Sequence, residues 1–249
     1  MTEKLIMFGV VSLLSSTLSG AAGGGGGLIS TPFMVILGLS PASAIATAKF
    51  GGFGLALGSS SRFFREKITD KRTVIIFSIL GAVGALAGSI TLSAFSSNSG
   101  VIQKLMGLVI LAIGIPMLYA RNRGLTTRTP PTWLKSLGLV LLVISVFMQA
   151  ALGSGIGSLQ FVIFISCFGM NALTASATRR AMQLTVATIS LSVFMITGLV
   201  DYRFGLVGLA ASSIGGFAGA HIAVKKGNKF IINVFAIASA VLAIQLLIG

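Results

Sequence analysis

Long apolar segments recur along this 249-residue chain and are separated by only short polar stretches. Many of them approach the roughly 20 residues that an α-helix needs to cross the hydrocarbon core of a bilayer. Charged residues make up 9% of the chain, whereas soluble domains carry about 25%. This is too little polar surface to cover a water-soluble globule. The sequence therefore predicts an all-α integral membrane protein embedded in a lipid bilayer, and it argues against an enzyme.

The net charge of +14 would suggest a nucleic-acid partner in a soluble protein. Here the Lys and Arg residues lie in short connections between apolar segments, which is typical of cytoplasmic loops. We therefore expect no nucleic-acid partner. The sequence contains no HExxH motif, no Cys/His cluster and no dinucleotide fingerprint. We accordingly expect no cofactor, no metal site and no catalytic residue.

The chain resembles itself at a fixed offset of 131 positions without a gap. The aligned pairs include Gly24 with Gly155, Gly38 with Gly169, Lys49 with Arg180, Asp70 with Asp201, Gly84 with Gly215 and Gly88 with Gly219. This alignment predicts an N-terminal transmembrane repeat at 1–123, a cytoplasmic linker at 124–131 and a C-terminal transmembrane repeat at 132–249, which together form one transport domain. The N-terminal apolar run resembles a secretory signal. Because it matches 136–152 in this alignment, we expect it to remain in the mature fold.

Each half contains five apolar segments, which in the first half lie at 4–20, 27–39, 41–62, 72–95 and 101–120. The second segment, at about 13 residues, is too short to span a bilayer. We therefore predict that the first two segments of each half form a broken, re-entrant helix pair, followed by three full crossings. An odd number of crossings predicts two repeats of inverted topology.

The distribution of basic residues supports this inverted topology. Twelve of them lie in three connections that it places in the cytoplasm: Arg62, Arg65, Lys67, Lys71, Arg72, Arg121, Arg123, Arg128, Lys135, Lys225, Lys226 and Lys229. The connections at 96–100 and 198–202 are nearly free of basic residues and would lie outside. We therefore predict a multi-pass protein of the cell inner membrane with both termini outside.

Small residues interrupt the apolar runs at matching places in the two halves, at 20–27 and 153–157. Broken backbone cannot face lipid, because each unpaired N–H or C=O group costs several kcal/mol there. One interpretation is tight helix packing through small residues. The other is that each break aims the N-terminus of the following short helix at the midplane, where it would bind an anion. The candidate anion-binding residues at the breaks are Gly24, Gly25, Gly26, Gly27, Ser154, Gly155 and Gly157.

Lys49 and Arg180 occupy equivalent positions in the third segment of each half. They lie about 13 Å along a helix that crosses a core of about 30 Å, where a charge is costly. The four acidic residues all lie near the predicted interfaces: Glu3, Glu66, Asp70 and Asp201. Lys49 and Arg180 are therefore either structural cations satisfied by backbone carbonyls or ligands of an anion.

Three further polar residues lie close to these cations in sequence: Thr47, Thr178 and Gln183. Their side chains can donate hydrogen bonds to the oxygens of an oxyanion. The two threonines can equally bond to the backbone of their own helix. All three are added to the predicted substrate-binding residues.

The residues around the first break resemble a known family. They are Gly23-Gly-Gly-Gly-Gly-Leu-Ile-Ser-Thr-Pro32, Leu37-Gly-Leu-Ser-Pro41 and Ala44-Ile-Ala-Thr47, with a degenerate echo in the second half. The sequence is similar to the sulfite exporter TauE/SafE family, also called the toluene sulfonate uptake permease family, over essentially the whole chain. The resemblance implies a secondary transporter of small sulfur-containing anions such as sulfite, thiosulfate or organosulfonates across the prokaryotic inner membrane.

Other functions remain open at this point. A passive anion channel would have much the same sequence as a carrier, and a scaffold without a transported substrate is a further possibility. Ser154 and His221 suggest a rhomboid-like intramembrane protease, but Leu152 stands where that site needs glycine. Cation transport is disfavoured because the predicted midplane contains no carboxylate.

Overall fold

The computed structural model describes residues 2–22, 27–97, 124–153 and 156–248, and every regular element within these ranges is helical. The helices are α1 Thr2–Ala22, α2 Gly27–Ile36, α3 Pro41–Arg65, α4 Lys71–Ala94, α5 Thr132–Leu152, α6 Gly157–Cys167, α7 Ala172–Ile196 and α8 Tyr202–Ile248. Helix α8 is interrupted at Gly227, where φ is 72° and ψ is −167°. These elements confirm the predicted all-α class. The predicted segment at 101–120 lies outside the described residues.

Four of the described helices are long and apolar enough to cross a bilayer, over Thr2–Ala21, Lys71–Ala94, Thr132–Leu152 and Tyr202–Ile237. Helices α3 and α7 have 25 residues each, which corresponds to about 37 Å, but they are more polar. The multi-pass membrane prediction is therefore confirmed. Helices α2 and α6 have 10 and 11 residues and are too short to cross alone. Because α1 and α5 are long enough to cross by themselves, the re-entrant pairing stays a prediction.

Polar residues at equivalent positions begin the long helices of the two halves. The side chains of Ser40 and Asn171 cap α3 and α7, and those of Asp70 and Asp201 cap α4 and α8. Each accepts a hydrogen bond from the backbone N–H three residues further on, at 2.8–3.2 Å. Such a cap satisfies one of the N–H groups that the first helical turn leaves unpaired. The helix starts therefore recur at the offset found in the sequence.

The described helices do not pack in the order of the two halves. Helix α8 of the second half packs against α1 and α3 of the first, and α4 of the first half packs against α5 and α7 of the second. Contacts between α3 and α7 join these two groups. The boundary predicted at 124–131 therefore separates the two halves in sequence only. In the fold, one helix of each half packs against helices of the other half.

Two pairs of aligned glycines allow this exchange. Gly84 and Gly88 of α4 face the backbone of α5, and Gly215 and Gly219 of α8 face the backbone of α1. A Cβ atom at Gly84 would lie 2.7 Å from the nearest carbonyl oxygen of α5, and one at Gly215 would lie 2.5 Å from that of α1. Small residues four positions apart let helix backbones approach this closely. At these positions the glycines serve helix packing.

Candidate functional site

A cavity of about 40 Å³ lies where α1, α2, α3, α5, α7 and α8 meet. It has room for about three water-sized groups, at roughly 10–15 Å³ for each. Its polar lining comes from both halves of the chain and consists of Ser12, Ser16, Ser19, Ser30, Lys49, Gln149, Arg179, Arg180, Gln183 and Ser212. A charged and polar lining of this kind inside an apolar protein marks it as the candidate site.

Lys49 and Arg180 make reciprocal contacts across the two halves. The Lys49 ammonium group donates to the backbone carbonyl of Gln149, 2.8 Å away in the last turn of α5. The Arg180 guanidinium donates to the backbone carbonyl of Ser19 in the last turn of α1, and to the Ser19 hydroxyl at 2.8 Å. The carboxyl end of a helix carries a partial negative charge, so both cations are stabilised there. These are the contacts that a structural role for the cations requires.

The charge of the three buried cations is not balanced by side-chain carboxylates. Lys49, Arg179 and Arg180 expose 3% or less of their surface and are the charged side chains buried within the described ranges. Among those residues the ion pair found is Arg62 with Glu66, far along α3 from the cavity. The other three acidic residues begin helices at Glu3, Asp70 and Asp201. Helix carbonyls therefore offset part of this charge, and none of the four acidic side chains lines the cavity.

Arg179 is held by a chain of buried amides. Its Nε donates to Oε1 of Gln160 at 3.2 Å, Nε2 of Gln160 donates to Oε1 of Gln149 at 2.8 Å, and Nε2 of Gln149 donates to Oε1 of Gln183 at 3.3 Å. The Arg179 guanidinium also lies directly against Gly157, at the N-terminus of α6, where even a Cβ atom would collide with it. The amides fix the guanidinium and leave its charge intact.

Two polar groups at the cavity have unused hydrogen-bonding capacity. Ser12 and Arg180 are 2% and 1% exposed, and neither the Ser12 hydroxyl nor the Arg180 Nε–H has a partner among the described residues. By contrast, the neighbouring hydroxyl of Ser16 donates to that of Ser212 at 2.8 Å. A buried donor without a partner costs about 1–3 kcal/mol. The two groups therefore favour a ligand role beside the structural one.

The predicted site residues fall into three groups. Lys49, Arg180 and Gln183 line the cavity, Gly157 contacts Arg179, and Gly27 begins α2. Thr47 and Thr178 are buried but are not part of the lining. The Thr47 hydroxyl instead accepts a hydrogen bond from the backbone N–H of Asp201 at 2.9 Å. The remaining predicted residues lie outside the described part of the chain, and they are Gly24, Gly25, Gly26, Ser154 and Gly155.

Several residues at the cavity or directly bonded to its lining are absent from the sequence-based prediction. Ser12, Ser16 and Ser19 are spaced four and three residues apart, so they share one face of the apolar helix α1. Gln149 and Gln160 are uncharged polar residues within apolar helices. This periodic polarity is a signal in the sequence, because a polar face on a membrane helix must contact protein or water.

The protease alternative finds no support in the described residues. The ring of His221 accepts a hydrogen bond at Nδ1 from Nε of Arg62, 3.1 Å away, near the end of α3. Ser154 lies outside the described residues. Within the described ranges, no group of three or more His, Cys, Asp or Glu side chains lies close enough to hold a metal ion.

Comparison with known sequences identifies the family. The sequence profile of the sulfite exporter TauE/SafE family matches residues 8–246. The chain belongs to this family. The resemblance predicted from the glycine-rich segment is therefore confirmed, and sulfite exporter TauE/SafE proteins are membrane transporters.

Individual relatives of the TauE/SafE family agree with this assignment. A probable membrane transporter protein of Haemophilus influenzae is 27% identical over 229 residues, which cover 92% of this chain and 89% of that protein. The probable membrane transporter protein YfcA of Escherichia coli is 25% identical over 237 residues, covering 95% of this chain and 87% of YfcA. No solved structure matches the chain.

Proposed function

We propose that this TauE/SafE protein is a secondary transporter, and specifically an exporter, of small sulfur-containing anions such as sulfite, thiosulfate or organosulfonates. The observation that carries the proposal is a cavity lined by three buried cations that no side-chain carboxylate neutralises. Removing a charge from water costs several kcal/mol even after the protein relaxes. A bound anion would offset part of this cost.

The donors around the cavity suit an oxyanion. Arginine, lysine, serine hydroxyl and amide N–H groups all donate hydrogen bonds to oxygen. The Arg180 Nε–H and the Ser12 hydroxyl are available for this purpose. The cavity volume of about 40 Å³ corresponds to about three water-sized groups, which suits a small anion. Gly27 begins α2 and Gly157 begins α6, and the N-termini of these helices would add backbone N–H groups to the anion site.

We further propose two inverted repeats that rock around this site at the membrane midplane. The equal lengths of α3 and α7, the matching caps and the reciprocal contacts of Lys49 and Arg180 all support a pseudo-twofold relation. Lys49 and Arg180 each donate to a backbone carbonyl of the other half. An anion that competes with these carbonyls would loosen the contacts between the halves. Such coupling between occupancy and movement is what an alternating-access transporter needs.

The orientation that we propose places both termini outside and the linker in the cytoplasm of a cell with an inner membrane. An inside-negative potential then drives an anion outward by about 2.3 kcal/mol per charge for each 100 mV. Export would therefore need no coupling ion.

Direct binding to the purified protein tests the proposal. We would titrate the wild type with sulfite, thiosulfate, sulfate, methanesulfonate and chloride, and compare Lys49→Gln, Arg180→Gln and the control Arg65→Gln. Arg65 is an exposed cation near the end of the same helix as Lys49. We expect binding of at least one sulfur oxyanion in the wild type and the control, weakened at least about tenfold in the two cavity variants, or by about 1.4 kcal/mol. Binding that is indifferent to both cavity cations would reject the site.

A passive anion channel is the second candidate, because the same cations would also attract a permeating anion. Counterflow in proteoliposomes separates the two. A carrier loaded with unlabelled substrate on one side accumulates labelled substrate against its gradient, whereas a channel does not. Absence of counterflow under conditions where the anion permeates would assign the protein to the channels.

A further inference from the structure

The charge of the cavity narrows the class of substrate, in an inference that rests on the proposed function. We propose that the site selects doubly charged sulfur oxyanions, such as thiosulfate and deprotonated sulfite, over singly charged anions such as methanesulfonate and chloride. Arg179 is the residue that makes this difference, because it adds a third charge to the equivalent pair formed by Lys49 and Arg180.

One of the three cations has no charged counterpart in the other half of the chain. Lys49 and Arg180 align with each other, but the residue that aligns with Arg179 is the uncharged Ala48. All three cations line the same cavity, and its described lining contains no carboxylate. A singly charged anion would leave two of the three charges without compensation, whereas a doubly charged anion leaves one. Because buried charge is costly, the second negative charge of the ligand contributes directly to its affinity.

The surroundings of Arg179 preserve its positive charge. Its Nε donates to the neutral amide oxygen of Gln160, and that amide is in turn held by Gln149 at 2.8 Å. A carboxylate at the position of Gln160 would neutralise the guanidinium, but an amide of the same shape cannot. The guanidinium also lies against Gly157, at the positive end of the α6 dipole, which disfavours its charge unless an anion is bound nearby. An anion bound here is attracted by the guanidinium and the helix end together.

Shape alone would not produce this selectivity. Thiosulfate and methanesulfonate share a sulfonate group and differ mainly in the fourth substituent on sulfur, which is a terminal sulfur in one and a methyl group in the other. The two ligands are similar in size and differ by one unit of charge. A difference in their affinities therefore measures the electrostatics of the site.

The test is a pair of titrations of the purified full-length protein with thiosulfate and methanesulfonate at the same ionic strength. We expect thiosulfate to bind at least about tenfold more tightly, which corresponds to about 1.4 kcal/mol. Sulfite provides an independent check, since it gains its second charge as the pH rises through the near-neutral range, whereas thiosulfate is doubly charged throughout. We expect the affinity for sulfite to rise with pH relative to the affinity for thiosulfate, because a change in the charge of the cavity itself would act on both anions.

Two matched variants test the role of Arg179. Gln160→Glu keeps the shape of the side chain and places a carboxylate beside the guanidinium, so we expect the preference for thiosulfate over methanesulfonate to fall by about tenfold. Gln160→Met removes the amide without adding a charge, so we expect both anions to bind more weakly while the preference between them remains. Thermal unfolding of each variant confirms that it is folded, and the comparison of anions in the wild type does not depend on either variant.

The outcomes separate this inference from the proposed function. Equal affinity for thiosulfate and methanesulfonate in the wild type would overturn the selectivity and leave the transporter proposal standing. An unchanged preference in folded Gln160→Glu would overturn the role of Arg179. No binding of any sulfur oxyanion would overturn both proposals.

Discussion

The two halves of the chain share their helix positions but supply different polar groups to the cavity. The first half contributes hydroxyls from α1 at Ser12, Ser16 and Ser19, and the positions aligned with them in the second half are Val143, Phe147 and Ala150. The second half contributes Gln149, Arg179 and Gln183, together with the supporting amide of Gln160. The positions aligned with these four in the first half are Leu18, Ala48, Gly52 and Ile29.

The short helices of the two halves differ in the same direction. Most of α6 is buried, including Phe161 and Phe164 at 1% or less exposure. Helix α2 exposes Ile29 and Ile36 to 45% and 78%. The comparison indicates that the helix positions of the two halves correspond while their polar groups at the site differ. The second half supplies most of the charge and the first half supplies most of the hydroxyls.

The largest effect that we expect concerns the shared scaffold, where the halves should respond alike. In Gly88→Ala and Gly219→Ala the new Cβ atom would meet a backbone carbonyl oxygen of the neighbouring helix, which cannot move aside as a side chain can. We expect each variant to lose about 1–3 kcal/mol of stability. In the control, Gly52→Ala, the added Cβ meets nothing within 4 Å.

Thermal unfolding in detergent measures these three variants. A much larger loss in one of the two glycine variants than in the other would show that the helix contacts of the halves are not equivalent. Stability unchanged in both would contradict the close approach of the helices.

A smaller effect should distinguish the polar residues of the two halves. In Gln149→Leu, the central amide of the chain is replaced by leucine, the residue at the aligned position of the first half. The two neighbouring amides lose their hydrogen bonds to Gln149, and the support of Arg179 is weakened. We expect an anion affinity about tenfold lower. Ser16→Ala removes only the hydrogen bond to Ser212 and should weaken binding about threefold.

Binding titrations of both variants with the same anion check this order. An equal loss in the two variants would mean that hydroxyls and amides contribute alike, and the asymmetry between the halves would then be restricted to charge.

The smallest effect concerns the start of α4. The hydroxyl and the backbone N–H of Thr73 donate to the carboxylate of Asp70 and lower its pKa below the ordinary value. A carboxyl whose pKa is lowered by folding stabilises the fold above its unfolded pKa, and this contribution is lost as the pH falls through the folded value. We expect stability to decline with acidification in this range and to decline less in Asp70→Asn. Unfolding temperatures measured against pH check this, and identical profiles in the two proteins would rule out the contribution of Asp70.

The sequence allowed the helix starts and two of the three buried cations, Lys49 and Arg180, to be predicted, but not the full set of cavity residues. Thr47 and Thr178 each lie two residues before a cation. Two residues correspond to about 200° around a helix, so the threonines face away from Lys49 and Arg180. Gln183 is three residues after Arg180 and shares its face, and it lines the cavity. A residue close to a cation in sequence therefore lines the cavity with it only where the spacing places both on the same face of the helix.

The serines of α1 and the amides of α5 and α6 were missed for a different reason. Ser16 bonds to Ser212, 196 positions away, and Lys49 bonds to the backbone of Gln149, 100 positions away. Pairings over such distances depend on which helices become neighbours. The packing of α8 against α1, and of α4 against α5, crosses the boundary between the halves and is not apparent from hydropathy.

The sequence by itself determined that the protein is a helical membrane protein, because its apolar segments and scarce charges are compatible with little else. It also determined where the helices begin, and that four acidic residues are too few to neutralise its cations. The tertiary structure alone decided that Lys49, Arg179 and Arg180 line one cavity with serines and glutamines from other helices. The physical reason is that composition and capping are local properties of the chain, whereas a binding site depends on the rotation and packing of helices that are distant in sequence.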